Sequence, residues 1–196
     1  MSKVAIVGDP SGTGTFTISA PNGNTDRTLV LPDEAGTIIT TAGVPASAMP
    51  AGSVIQVVSK DITQDWASRW SSTSSSYSAT DYELTITPTS ASSKILVSFD
   101  ADGLAGGGSS YLMITVYRNG TDLAGSPYGM MTLQPSAGWN HVGLSFVDAP
   151  STTLATTYKV YAKNFATASG ASYIGFNSAA GSKENMVHMY LMEIAG

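Results

Sequence analysis

Apolar and polar residues alternate in short runs along most of this chain, and the alternation predicts β-strands. From residue 53 onward, runs rich in Val, Ile, Tyr, Phe and Thr are separated by segments of Gly, Asn, Ser and Pro. The runs predict about eight strands, at residues 54–59, 82–87, 93–101, 111–119, 139–148, 157–165, 172–177 and 187–194. Asn119-Gly120 predicts a type I′ turn at one hairpin. Short strands joined by variable loops predict an all-β, jelly-roll-like sandwich.

Residues 61–70 carry the one pattern that is compatible with a helix. Ile62, Trp66 and Trp70 recur at intervals of four, and Asp61 is a suitable cap. The Ser- and Thr-rich run at 71–78 favours an extended loop instead, and we predict a loop.

Two of the predicted strands are apolar on both faces. Val187, Met189 and Leu191 alternate with a second apolar set in the last strand, and the strand at 111–119 behaves in the same way. A strand of a monomeric sandwich needs only one buried face, although Tyr and Met are often partly exposed. We favour a subunit interface, formed by Tyr111, Met113, Tyr190, Met192 and Ile194.

The first forty-one residues form a separate, core-poor segment. Short alternating runs at 15–19, 28–31 and 36–40 predict small strands, with a turn at 21–24. So few large apolar side chains cannot offset the chain entropy lost on folding, which indicates that the segment is stabilised by a partner. The predicted docking residues are Val4, Ile6, Phe16, Ile18, Leu29, Leu31 and Ile38.

The domain organisation follows from these patterns. We predict a β-arm for docking and trimerisation at 1–41, an Ala/Gly/Pro connector at 42–52, and a jelly-roll-like knob at 53–196.

Composition narrows the classes of partner. Charged residues make up 12% of the chain, the net charge is −5, and the basic residues are scattered singly, which argues against nucleic acid. No apolar run approaches the roughly 18 residues of a membrane span, and the first residues do not predict a signal peptide. We therefore expect synthesis in a cytoplasm and no membrane partner. With no cysteine, disulfides and thiolate metal sites are excluded.

Catalytic chemistry is not predicted. His141 and His188 are single histidines on strands, and no nucleophile elbow, zinc motif or phosphate loop occurs. Paired carboxylates of the kind that glycosidases use are present, but they lie near turns where Asp is common. The pairs are Asp61 with Asp65, Asp81 with Glu83, and Asp100 with Asp102. We predict no catalytic residue, cofactor or metal.

Aromatic residues beside hydroxyl-rich loops suggest one binding role. Trp66, Trp70, Tyr128 and Trp139 could stack on sugar rings. The alternative is that they fill the rim of the sandwich and a subunit contact.

The segment at 14–37 resembles a block found in virion structural proteins of tailed bacteriophages, especially marine and cyanobacterial ones. The matching residues are Gly14, Thr15, Thr17, Pro21, Asn24, Thr28, Leu29, Leu31, Pro32, Gly36 and Thr37. The run at 86–97 is similar to one in fibre and knob domains of the same viruses. The resemblance implies a trimeric protein on the virion surface.

The expected function is therefore that of a non-enzymatic virion protein that decorates and cements the capsid as a homotrimer bound to the major capsid protein. The short chain without a repetitive shaft favours this placement. The alternative is a tail-fibre or tail-tip knob that binds a host-surface glycan. A second alternative is a glycan-degrading tailspike-type enzyme.

Overall fold

The computed structural model describes residues 46–62, 69–106, 110–134, 138–165, 170–175 and 187–196, together with scattered positions among the first 45. The chain divides into two compact units, residues 1–38 and 39–196. All seven predicted docking residues lie outside the described residues, so the docking role of the first unit stays a prediction. The second unit is described below.

The second unit is built from strands, with one short 3-10 turn at Ala46–Ala48. The strands are Val54–Ile62 (β1), Trp70–Ser72 (β2), Ser78–Ile86 (β3), Lys94–Leu104 (β4), Leu112–Arg118 (β5), Thr121–Asp122 (β6), Met131–Leu133 (β7), Asn140–Asp148 (β8), Thr156–Asn164 (β9), Ser172–Gly175 (β10) and Val187–Ile194 (β11).

The strands form two antiparallel sheets. In sheet A, β8 pairs with one side of β4, while β11 and β10 lie end to end along the other side of β4. On their far sides, β11 pairs with β1 and β10 pairs with β2. In sheet B, the order is β3-β9-β5, and β7 and β6 lie end to end along the free side of β5.

The strand order is that of a jelly roll. If β6 and β7 are counted as one interrupted strand and the short β2 and β10 are set aside, eight strands remain. In chain order they are arranged 1-8-3-6 in sheet A and 2-7-4-5 in sheet B, which is jelly-roll connectivity. The predicted all-β sandwich is confirmed.

The core lies between the inward faces of the two sheets, where alternate residues of each long strand are buried. Tyr82 is completely buried, its hydroxyl donates to the Ile174 carbonyl at 2.8 Å, and its ring lies 5.3 Å from that of Phe99. The remaining core residues on the long strands are Leu84, Ile86, Ile95, Val97, Ala101, Leu112, Ile114, Val116, Val142, Tyr158, Val160, Ala162, Val187, Met189 and Leu191. Because inward positions are fixed by this core, the residues between them face outward.

The hairpin between β5 and β6 has the predicted turn. Asn119 has φ of 48° and Gly120 has φ of 86°, so both central residues are left-handed, as a type I′ turn requires. The Asn119 Oδ1 atom also accepts a hydrogen bond from the Thr157 amide at 2.9 Å, which ties the turn to β9.

Part of the predicted connector belongs to the sandwich. The amide of Gly52 donates to the Ala195 carbonyl, and the amide of Ala195 donates to the Ser53 carbonyl, both at 2.8 Å. These bonds extend the pairing of β1 with β11 backwards, and the turn at Ala46–Ala48 precedes them. Composition alone predicts a connector without contacts here, because backbone hydrogen bonds cannot be recognised from the order of side-chain types.

The helix-compatible spacing at 61–70 does not correspond to a helix at either end of this segment, because the residues there lie in strands. Asp61 and Ile62 belong to β1, and Trp70 belongs to β2. Trp66 lies outside the described residues.

Candidate functional site

The outward face of sheet A carries a row of apolar side chains that crosses four strands. In register, Val57 is opposite Met192, Met192 is opposite Leu96, and Leu96 is opposite Val147. We call these four residues the apolar row. Their neighbours along each strand, such as Val58 and Leu191, pack on the core, so the row faces away from it. Val57 is 53% exposed and Val147 is 54% exposed, whereas Leu96 and Met192 are half-buried.

A second apolar pair adjoins the apolar row. Val54, which is 49% exposed, is opposite Ile194 in the pairing of β1 with β11. An apolar area that continues from strand to strand on an outward face is a candidate contact surface, because the core of the sandwich does not require it.

Beyond the apolar row the same face becomes polar. Ser59, Tyr190 and Ser98 occupy the next row, since Tyr190 is opposite both serines. His188 then lies opposite both Asp61 and Asp100. The face is therefore apolar towards one end and hydrophilic towards the other.

Two histidine–aspartate pairs form the hydrophilic part, which we call the Asp–His stripe: Asp61, His188, Asp100 and His141. His188 Nδ1 lies 2.8 Å from Asp61 Oδ1, and His141 Nε2 lies 3.3 Å from Asp100 Oδ1. A Cβ atom on Gly143 would come within 3.0 Å of His141 Nε2, so this glycine leaves room for the second pair. In the described part of the chain, no three His, Asp or Glu side chains are grouped so that they could hold a metal ion.

The predicted subunit-interface residues divide between the two sheets. Tyr190, Met192 and Ile194 are on the outward face of sheet A and are half-buried. Met113 is on the outward side of sheet B and is only 2% exposed, which leaves little surface for the expected subunit contact, and that contact stays a prediction. Tyr111 is half-buried beside it.

The chain itself covers this part of sheet B. Tyr77 packs against Tyr117 with ring centroids 6.5 Å apart, and burial, followed by the nearby charge of Asp122, raises the pKa of Tyr77 to about 12. The ammonium of Lys163 lies 4.5 Å from the centre of the same ring. The sequence pattern could not reveal this cover, because it comes from loops remote in sequence.

The predicted glycan-contact residues that the structure describes, Trp70, Tyr128 and Trp139, do not form one site. Trp70 is half-buried and packs against the core, and its contact with a sugar stays a prediction. Trp139 lies 6.0 Å from Tyr173, and the Arg69 guanidinium sits 4.0 Å from the centre of the Tyr173 ring. Tyr128 is 56% exposed and lies in a different cluster, beside Phe165.

Three members of the predicted carboxylate pairs, Asp61, Glu83 and Asp100, are held in ion pairs. Glu83 accepts from Lys159 at 2.9 Å, and this hydrogen bond is the main cause that raises the pKa of Lys159. Asp100 belongs to the Asp–His stripe. Asp65 lies outside the described residues.

Sequence reasoning missed a half-buried carboxylate cluster at one end of β5, β8 and β9. The Arg118 guanidinium reaches both oxygens of Asp148 at 2.8 Å, and the Tyr158 hydroxyl donates to Asp148 at 2.7 Å. Burial, reinforced by the hydrogen bond to Asp148, raises the pKa of Tyr158. The cluster joins the two sheets, and its tyrosine stays protonated.

No protein-family model matches the chain, and no curated protein is similar enough in sequence to be a recognisable relative. Within the described residues, no helix is long and apolar enough to cross a membrane.

Proposed function

We propose that this chain is a non-enzymatic structural protein of a bacteriophage virion, which assembles as a homotrimer and decorates and cements the capsid surface. The apolar row on sheet A is the observation that carries the assembly part of the proposal. The resemblance of residues 14–37 to phage virion proteins supports the placement on a virion.

The apolar row supplies a driving force for association. Fully burying a side chain such as Val, Leu or Met contributes roughly 1.5–3 kcal/mol, so each half-exposed member of the row has about 1 kcal/mol to gain. Val54 and Ile194 enlarge the same area. The total free energy gained by this burial is modest compared with the entropy lost when copies associate. The polar part of the face must therefore also be complementary to the surface that it contacts.

A closed ring of copies buries the apolar row of every copy. If copies associate through unlike surfaces around a three-fold axis, every apolar row is covered and no adhesive surface remains. An open arrangement would leave one row exposed and would favour fibres. Closure is therefore expected of a protein that must stay soluble before it reaches the particle.

Docking to the major capsid protein is assigned to residues 1–41. The apolar residues of this segment are too few for an independent core, and a capsid surface or the sister chains would bury them.

The assembly proposal predicts the effect of a charge in the apolar row. Met192→Asp should convert the trimer to a folded monomer, because three copies of a carboxylate would be buried without a partner. Sedimentation velocity at micromolar concentration measures the change, and far-UV circular dichroism checks the fold. Leu154→Asp is the matched control, since Leu154 is 74% exposed and outside the row. A wild-type monomer, or a trimer that survives Met192→Asp, contradicts the proposal.

The second candidate is a tail-fibre or tail-tip knob that binds a host-surface glycan. The exposed ring of Tyr128 is the observation in its favour. Particle labelling distinguishes the two, since a decoration protein covers the capsid and a fibre knob appears only at the tail.

A further inference from the structure

An aromatic pocket opens on the outward side of sheet B, away from the apolar row. Its volume is about 250 Å³, and its lining is Tyr111, Met113, Tyr128, Thr132 and Phe165. Met113 is 2% exposed and forms the floor, while Tyr128 and Phe165 are 56% and 52% exposed. Two large aromatic rings that remain half in water in a folded chain are available to a ligand.

The three rings stand in two orientations. The rings of Tyr128 and Phe165 are close to parallel, with an interplanar angle of 20° and centroids 6.2 Å apart. The ring of Tyr111 is perpendicular to that of Phe165, at 89° and 6.0 Å. The pocket therefore offers walls in two planes to a flat or ring-shaped ligand.

Backbone contacts hold these walls in place before any ligand arrives. The amide of Phe165 donates to the Tyr111 carbonyl at 2.9 Å, and that of Met130 donates to the Ile114 carbonyl at 2.9 Å. Gly129, which follows Tyr128, has φ of +72°, and a Cβ there would lie 2.5 Å from the Ile114 oxygen. Only glycine allows the turn that carries Tyr128 to approach β5 so closely, and a preformed pocket loses little entropy on binding.

The shape and lining of the pocket select the ligand. The pocket is open on one side, so its ligand needs an apolar face for the rings and a hydrophilic face for water. The described lining has no charged side chain, and its exposed surface is almost entirely apolar. We propose that this pocket binds one neutral pyranose ring, whose C–H face lies on Tyr128 and Phe165 and whose hydroxyls point to solvent and to the rim.

The site is new relative to the sequence-based set, because only Tyr128 was expected to meet a sugar. It deepens the second candidate function and does not depend on the trimer.

The pocket is tested by titrating the full-length protein, with ¹³C-labelled methionine methyl groups, with neutral methyl pyranosides. The probes are methyl α-D-glucopyranoside, methyl α-D-mannopyranoside, methyl β-D-galactopyranoside and the methyl glycoside of N-acetylglucosamine. We expect a saturable shift of the Met113 methyl signal with at least one of them. Phe165→Ala and Tyr128→Ala should each weaken that binding by about tenfold or more. Leu154→Ala, at an equally exposed apolar residue outside the pocket, should leave it unchanged.

Several results would overturn the proposal. One is the absence of a Met113 shift with every pyranoside up to about 0.1 M. Another is unchanged affinity in both alanine variants while the other methionine signals show the native fold. A third is a Met113 shift with N-acetyl-phenylalanine amide but with no pyranoside, which would assign the pocket to an aromatic side chain of a partner protein.

The pocket and the assembly surface are tested separately. Met192→Asp should keep sugar binding when the trimer dissociates, whereas a wild-type trimer that binds no sugar refutes the pocket alone.

Discussion

Glu193 is the least expected residue of the sandwich. It is completely buried on the same face of β11 as Val187, Met189 and Leu191. Its carboxylate accepts from Gln56 Nε2 at 2.6 Å and from the amide and hydroxyl of Thr89 at 2.7 Å each. Burial raises its pKa, but the hydrogen bonds from Gln56, Ser93 and Thr89 outweigh burial and leave the pKa lowered.

The lowered pKa predicts how stability depends on pH. The contribution of Glu193 is fully present above the ordinary value of 4.5 and is lost as pH falls from there through the lower folded-state pKa. Glu193→Gln should lower the free energy of unfolding at pH 7 by about 2 kcal/mol, because it removes charged hydrogen bonds. Urea unfolding between pH 7 and pH 3 measures both effects. The variant should lose less stability below pH 4.5 than the wild type, and parallel pH profiles would contradict the assignment.

The sequence could not identify this residue as buried. Its position in the alternating pattern is inward, but its charge argues for the surface. The groups that compensate it lie 104 and 137 positions away along the chain. Met113 shows the reverse case, since its outward position predicted a partner, whereas loops of the same chain cover it.

At the level of elements, strands of four or more residues were predictable and shorter ones were not. The eight predicted strands all exist, because alternation over several residues reflects one buried face. β2, β6 and β7 have two or three residues each, too few for a period to show. They pair where β10 and β5 offer a free edge, and only the fold determines that.

The β5–β6 turn gives a test at this scale. Gly120→Ala should destabilise the protein by about 1 kcal/mol, because φ of +86° strains any residue with a Cβ. Gly138→Ala is the control, since no atom lies within 4 Å of its added Cβ and its φ is not positive. Thermal unfolding of both variants measures the difference. Equal melting temperatures would show that the hairpin tolerates strain at this turn.

For the whole molecule, the main prediction is that the first unit docks on the particle and the second unit forms the trimer. A chain that begins at Ala46 keeps the turn and the backbone bonds to Ala195, so it should fold. It should still form trimers through the apolar row, but it should fail to bind particles stripped of the protein. Phe16→Ser combined with Leu31→Ser in the full chain should have the same effect. Quantitative gel analysis of decorated particles measures occupancy, and full occupancy by the shortened chain would assign docking to the jelly roll.

The pairing of β1 with β11 also determines how the sandwich responds to force. Ser53 and Ala195 are hydrogen-bonded neighbours at the same end of two antiparallel strands. A load applied between these two points acts across the strands and breaks their hydrogen bonds one after another, as in unzipping. A load applied between Ser53 and β4 would instead shear the strands past one another, and many hydrogen bonds of sheet A would have to break at the same time. The sandwich is therefore mechanically weakest between Ser53 and Ala195.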